Sequence, residues 1–199
     1  MSERARWGGL AWLCALQFFV AEAFAAAAVP GYSYRLGFIS DLGADMGSPR
    51  HIWMNASFVL QGGLILTGLA WGRARPLLAT LALAICAAGV ALVGLAPEDS
   101  APGLHYAGAT ANLVGSNLGA LLSGLAPRAG FAARTGIVAG AVGLAACAAL
   151  GLHAYAGLGV GTVERFAAYP FVLWLAVNGA SALRGDGGAY VLRARDPGA

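Results

Sequence analysis

The residues with the clearest chemical potential in this chain are a histidine and several acids that stand beside long apolar runs. His105 follows the acidic turn PEDSAPG, which contains Asp99. A neighbouring carboxylate orients a histidine ring and stabilises its charged form, which suits general acid/base chemistry or metal binding. The sequence therefore predicts His105 as a candidate acid/base, with Asp41 or Asp99 as the carboxylate that orients it.

Two other charged positions lie within or beside apolar runs. Glu22 stands about two thirds of the way along the first run, where a carboxylate is costly unless it is protonated or paired. We therefore predict it as a binding residue, with Arg35, Arg50 and Arg165 as candidate partners. The alternative is that Glu22 only reaches the membrane interface. Glu164 and Arg165 open the last run, and a guanidinium there is suited to clamp a phosphate or carboxylate.

One face of the fourth apolar run is polar. On a helix that advances about 100° per residue, His105, Asn112, Ser116 and Ser123 fall within about 20° of one line. This pattern is typical either of a functional groove or of hydrogen bonds between helices, and both interpretations stay open. The complete predicted site has His105, Asp41 and Asp99 as catalytic candidates, and Glu22, Ser40, Asn55, Asn112, Glu164 and Arg165 as binding candidates.

Apolar runs of membrane-spanning length position these residues. The chain of 199 residues is 59% hydrophobic and only 11% charged, with a mean hydropathy of +0.70, whereas soluble domains carry about 25% charged residues. We predict an all-α integral membrane protein, a single domain formed by a bundle of six transmembrane helices. The predicted spans are 8–29, 55–72, 76–96, 105–126, 135–157 and 166–184, followed by a flexible cytoplasmic tail at 185–199.

The first run also allows another interpretation. Ala23-Phe24-Ala25 resembles the cleavage site of a signal peptide, although the run is longer than usual for one. Cleavage would leave the topology of the later spans unchanged.

The arginines predict the orientation. With the N-terminus in the cytoplasm, nine arginines lie inside and three, Arg35, Arg50 and Arg165, lie outside, which satisfies the positive-inside rule. Both termini are then cytoplasmic, and we predict a multi-pass protein of the cell membrane with membrane lipids as partners. The basic residues sit in pairs at helix ends instead of forming one basic face, so no nucleic-acid partner is expected. The sequence does not predict the oligomeric state.

The outer loops collect oxygen and imidazole groups without a recognised metal spacing. The acids and histidines predicted at this end are Asp41, Asp45, His51, Glu98, Asp99, His105, His153 and Glu164. No pair of them has the spacing of H-E-x-x-H or a similar motif. We therefore predict no cofactor and keep a divalent metal as the less favoured alternative. The three cysteines lie inside apolar runs, and no disulfide is expected.

Several short segments together resemble known families. They are Ile39-Ser40-Asp41-Leu42-Gly43-Ala44, Asn55, Val93-Gly94 before the acidic turn, His105 after it, and Glu164-Arg165 before the helix of Trp174. The combination resembles a bacterial six-helix membrane family catalogued as a domain of unknown function, DUF998. More distantly, Ile39-Ser40-Asp41 with Gly43 and His105 is similar to the eukaryotic Frag/DRAM/Sfk family. That family includes a lipid-remodelling factor for GPI anchors and autophagy modulators. The resemblance implies a site at the outer face and implies no particular reaction.

Three function classes remain open at this point. The leading hypothesis is an outer-side cavity that binds a lipid headgroup or a similar amphiphile, and whether it also remodels that ligand as an enzyme is uncertain. The second is a small transporter or ion-conducting protein that uses Glu22 and the polar face of the fourth helix. The third is a non-catalytic membrane scaffold, in which GxxxG packing would matter more than the charges.

Overall fold

The computed structural model describes residues 2–72, 74–127 and 129–185, and this part of the chain is entirely helical apart from its connections. It contains α1 (Glu3–Cys14), α2 (Gln17–Ala26), α3 (His51–Trp71), α4 (Leu77–Leu95), α5 (Pro102–Gly124), α6 (Phe131–Gly151) and α7 (Val160–Arg184). A short 3₁₀ helix, Ser40–Gly43, lies in the connection between α2 and α3. The predicted all-α class is confirmed.

The first apolar run forms two helices that together have the length of one span. Helices α1 and α2 meet at Ala15 and Leu16, whose amides donate to carbonyls only three residues back, at Trp12 and Leu13. Such tighter bonds locally convert an α-helix into a 3₁₀ turn. The combined segment, Glu3–Ala26, is still long and apolar enough to cross a membrane.

The helix ends differ from the predicted ranges mainly where polar residues continue a helix. Helix α3 begins at His51 and α7 begins at Val160, so Glu164 and Arg165 lie inside a helix instead of before it. Hydropathy marks where a segment becomes apolar, whereas a helix begins where its backbone hydrogen bonds begin. Of the predicted tail, only Gly185 belongs to the described residues, and it ends α7 with a positive φ of 76°.

Five segments of the described chain are long and apolar enough to span a membrane, and α5 is not among them. Helix α5 packs against α4, α6 and α7. Its histidine, two serines and an asparagine, His105, Ser116, Ser123 and Asn117, are all buried. The low hydropathy of α5 thus comes from polar side chains that face other helices.

Small residues bring α5 and α6 into backbone contact. A Cβ atom added to Gly136 would lie 2.3 Å from the carbonyl oxygen of Ala120, and one added to Gly140 would lie 2.4 Å from that of Asn117. Only glycine permits this approach. Gly136 and Gly140 have the GxxxG spacing, which therefore corresponds to close packing in the structure.

Candidate functional site

The long connection between α2 and α3, residues 27–50, covers one end of the bundle. The Arg35 guanidinium donates to the carbonyl of Gly157 at 2.8 Å, in the loop before α7. The amide of Asp45 donates to the Asp99 carboxylate at 2.7 Å, in the loop before α5. Arg50 donates to the carbonyl of Phe24 at 2.7 Å. Residues 27–50 therefore connect the loops at what we call the acid-rich end.

Arg165 anchors this connection to α7. Its Nη1 donates to the carbonyls of Tyr34, Gly37 and Gly161, at 2.7, 2.9 and 2.9 Å. Its Nη2 donates to the Tyr32 hydroxyl at 2.8 Å. Three of these four acceptors belong to residues 32–37, so a single buried guanidinium holds most of the first half of the connection.

The charge of Arg165 is balanced by Glu22. Its Nη2 lies 2.7 Å from Glu22 Oε1, and Nε donates to the same oxygen at 2.9 Å. The hydroxyl of Tyr169 donates to Glu22 Oε2 at 2.7 Å. Glu22 is 1% exposed and Arg165 is 7% exposed. Of the three predicted partners of Glu22, the structure pairs it with Arg165, while Arg35 and Arg50 bond to backbone carbonyls.

This arrangement leaves Arg165 little capacity for an anionic ligand. Its Nε, Nη1 and Nη2 atoms all have acceptors within the protein, and a guanidinium has only five N–H donors. To clamp a phosphate, it would have to release Glu22 or a loop carbonyl. Tyr32 completes the cluster by donating to the carbonyl of Phe38 at 2.7 Å. Burial raises the pKa of Tyr32 to about 12, so its hydroxyl keeps its proton.

A second feature of the acid-rich end is a cavity of about 50 Å³, which we call the histidine cavity. It lies among α2, α3, α4, α5 and α7, and the 3₁₀ helix covers it. Its polar lining is Ser40, Gln61, His105, Asn112, Ser116 and Glu164, and its aromatic lining is Phe18, Phe58 and Phe171. A water needs roughly 10–15 Å³ of such space, so the cavity has room for about three to five waters or a similarly short polar group.

His105 lines this cavity and carries an unsatisfied ring nitrogen. The residue is 2% exposed, and its Nδ1 lies 3.0 Å from the carbonyl oxygen of Ala96. A carbonyl only accepts, so Nδ1 must carry the proton in this bond. In the neutral ring, Nε2 is then an acceptor, and this buried atom has no partner among the residues that the structure describes. Buried polar atoms are rarely left without a partner, so Nε2 marks a place for a hydrogen-bond donor.

Carboxylates lie in or next to the lining of the histidine cavity. Glu98 accepts hydrogen bonds from Tyr106 at 2.6 Å and from Ser40 at 3.5 Å. Glu164 accepts the amide of Ile39, which fixes the 3₁₀ helix over the cavity. Because Glu22 neutralises Arg165, the charge of Arg165 does not offset the acids near the cavity.

Asp41 belongs to this group of acids. Its carboxylate accepts the Phe38 amide at 2.8 Å. Burial raises the pKa of Asp41, and the nearby Glu98 carboxylate raises it further, although the Phe38 amide opposes the shift. Asp41 therefore favours its protonated form more than a solvated aspartate does.

Two predicted residues serve mainly to support the loops. Asp99 is exposed, and its carboxylate accepts the amides of Asp45 and Met46, at 2.7 and 3.3 Å. Asn55 donates to the carbonyl of Gly43 at 2.8 Å and so fastens the 3₁₀ helix to α3. Neither residue lines the histidine cavity.

A family model described as a protein of unknown function (DUF998) matches residues 12–181, which include every residue of the cluster and of the cavity. The chain belongs to the DUF998 family. No curated protein and no solved structure matches the chain significantly.

For this DUF998 member, the structure brings together several predicted site residues and separates others. His105, Ser40, Asn112 and Glu164 line one cavity, and Asp41 lies near enough to interact electrostatically with His105. Glu22 and Arg165 form the neighbouring ion pair, whereas Asp99 and Asn55 support loops. Within the described residues, no three histidine, cysteine or acidic side chains form a group that could hold a metal ion.

Residues that the sequence analysis did not select also belong to the site. Tyr32 and Tyr169 complete the shell of Arg165, and the four-residue spacing of Tyr169 from Arg165 on one helix could have indicated this. Gln61 lines the histidine cavity, and its Nε2 has no partner in the described chain. An isolated glutamine in an apolar run was the available signal.

Proposed function

We propose that this protein is a six-span protein of the cell membrane whose histidine cavity binds the hydrogen-bond-donating end of a lipid headgroup or similar amphiphile. The observation that carries the proposal is that His105, whose buried Nε2 has no partner among the described residues, lines a cavity with an aromatic wall. Binding a donor there would satisfy an atom whose isolation costs about 1–3 kcal/mol.

The charges near the cavity favour one chemical class of headgroup. Asp41, Glu98 and Glu164 lie near the cavity, and the nearby Arg165 is already paired. A primary ammonium group carries three N–H donors and a positive charge, so it complements both His105 and these acids. A quaternary ammonium has no N–H donor and a larger volume, which a cavity of about 50 Å³ does not favour.

The burial of α5 supports a sixth span. Its 23 residues suffice to cross a bilayer, and its polar side chains face α4, α6 and α7 instead of lipid. With six spans, both termini lie on one side, and the arginine distribution assigns that side to the cytoplasm. The histidine cavity then faces the outer leaflet.

Native mass spectrometry tests the headgroup proposal. The protein in detergent is incubated with equal amounts of phosphatidylethanolamine and phosphatidylcholine with identical acyl chains. We expect retention of phosphatidylethanolamine, and loss of the preference in His105→Leu, because leucine fills similar space without a ring nitrogen. The control is His153→Asn, since His153 lies outside the cavity and asparagine tolerates its backbone φ of 55°. Equal retention of both lipids by the wild type would refute the proposal.

A second candidate function is transport of protons or small ions. One observation favours it: Ser116 lines the histidine cavity, whereas Ser123, seven residues later on the same helix, lines a second cavity near the other end of the bundle. Seven residues of helix span about 10 Å. Phe171 lines the histidine cavity and stacks on Trp174 with a centroid distance of 5.8 Å, and Trp174 packs at a tilt against Trp12 of the second cavity at 5.5 Å. Transport would require this aromatic barrier to open.

Proteoliposomes loaded with a pH-sensitive dye test this second candidate. A pH gradient is imposed and the proton flux is measured. A flux that is lower in Ser116→Leu than in the wild type, and unchanged in the matched surface variant Val142→Leu, would support transport. Flux no greater than in protein-free liposomes would exclude proton transport by the isolated protein.

A further inference from the structure

The cavity near the other end of the bundle differs from the histidine cavity in size and in charge. It measures about 320 Å³ and lies among α1, α3, α6 and α7. We call it the arginine cavity, after Arg75 and Arg184 in its lining. Ligand sites for small molecules start at about 300 Å³, so this cavity has room for a whole headgroup, which the histidine cavity does not.

The charge of its lining is positive. Among the described residues that line the arginine cavity, two are arginines and none is acidic. The guanidinium of Arg75 lies 4.0 Å from the ring centroid of Trp12, which fixes its plane at the cavity wall. Arg184 stands in the last turn of α7 and is exposed, so its side chain has the freedom to turn toward a ligand.

The first turn of α6 adds oriented donors to the same wall. Gly130, Phe131, Ala132 and Ala133 line the cavity, and no side chain caps this helix at Gly130. The first amides of a helix have no partner within it and lie at the positive end of the helix dipole. Together with the exposed guanidinium of Arg184, they suit the oxygens of a phosphate.

We propose that the arginine cavity binds a phosphate-bearing anion, such as the headgroup of an anionic phospholipid. Several glycines also line this cavity, and a Cβ atom at any of them would lie within 3.1 Å of a neighbouring atom, so they let the helices pack closely around it; they are Gly8, Gly9, Gly68, Gly72 and Gly179. Val177 also lines the cavity and is 42% exposed, so apolar surface continues from the cavity to the side of the bundle. That continuity favours a lipid, whose acyl chains would leave along this surface, over a free anion.

Lipid retention in native mass spectrometry tests this site. The protein is incubated with equal amounts of phosphatidylglycerol and phosphatidylcholine with identical acyl chains. We expect preferential retention of phosphatidylglycerol by the wild type. In Arg184→Gln, we expect this preference to fall about tenfold, because a charge-assisted hydrogen bond is lost. Arg184 is exposed, so this variant should fold normally. The control is Arg134→Gln, whose side chain bonds to the carbonyl of Ala129 and does not line the cavity.

Two more arms complete the test. Ala74→Phe places a ring at the exposed rim without changing charge, and we expect it to reduce retention as well. Glycerol 3-phosphate is then added as a competitor: displacement of the lipid at millimolar concentration would identify a soluble phosphoester as an equal ligand, and no displacement would identify the lipid. Equal retention of both lipids by the wild type, or an undiminished preference in both Arg184→Gln and Ala74→Phe, would overturn the proposal.

Discussion

Removing the carboxylate of Glu22 should destabilise the protein more than any loss of an exposed charge. Glu22→Leu keeps a side chain of similar size but leaves the buried Arg165 without its counter-ion. It also removes three hydrogen bonds, two from Arg165 and one from Tyr169. Breaking one side of a buried ion pair typically costs about 3–5 kcal/mol. We expect the upper half of that range, because Tyr169 also loses its acceptor.

A matched set of variants separates the energetic contribution of the ion pair from the cost of any substitution at Glu22. Glu22→Gln retains an acceptor for Arg165, so we expect a smaller loss of about 1–3 kcal/mol. In the double variant Glu22→Leu with Arg165→Met, no unpaired charge remains. Its free energy of unfolding should exceed the value expected from additivity by about 2 kcal/mol or more. Glu3→Gln, near the N-terminus, serves as the exposed control.

The free energy of unfolding is measured by reversible titration with sodium dodecyl sulfate in mixed micelles, followed by tryptophan fluorescence. Hydrogen exchange of residues 34–39 provides an independent readout, since Arg165 holds the carbonyls of Tyr34 and Gly37. We expect faster exchange there in Glu22→Leu. The role of this ion pair would be refuted if the changes in the free energy of unfolding were additive in the double variant, or if Glu22→Leu lowered that free energy by less than about 1 kcal/mol.

Two further predictions concern pH and packing. The native pKa of Asp41 is raised, so its contribution to stability is complete below the unfolded pKa of about 4 and is lost as the pH rises through the native value. Asp41→Asn should remove this component, and a pH profile of the melting temperature that matches the wild type would contradict it. Gly136→Ala should cost about 1–3 kcal/mol, since its Cβ would lie 2.3 Å from the Ala120 oxygen. Gly63→Ala, whose Cβ would meet nothing within 4 Å, is the matched control, and equal unfolding energies of the two variants would count against close packing of α5 and α6.

Hydropathy predicts the helical class well because each span must satisfy its backbone within one segment. It locates the ends less well. Helix α7 starts at Val160, before the charged pair Glu164-Arg165, because these side chains are buried in contacts with residues 32–39. No local pattern contains that information, since the partners are more than 120 residues apart.

In the candidate site, too, the sequence identifies which residues need a partner but not which residues pair. The sequence identifies Glu22 as a membrane carboxylate that needs a partner, but three arginines were available, and only packing selects Arg165. Similarly, Glu98 and Asp99 are neighbours in one turn, yet Glu98 bonds to Ser40 at the histidine cavity, whereas Asp99 binds loop amides. The direction of each side chain is set by the turn, which composition and spacing do not determine.

The most direct test of the account is the nitrogen NMR spectrum of His105 in lipid nanodiscs, assigned by comparison with His105→Leu. In phosphatidylcholine nanodiscs, we predict a proton on Nδ1 and an unprotonated Nε2, as the bond to the Ala96 carbonyl requires. Adding phosphatidylethanolamine should shift the Nε2 resonance as it accepts a hydrogen bond. A proton on Nε2 of the neutral ring, or a resonance unchanged by phosphatidylethanolamine, would contradict the proposed headgroup site.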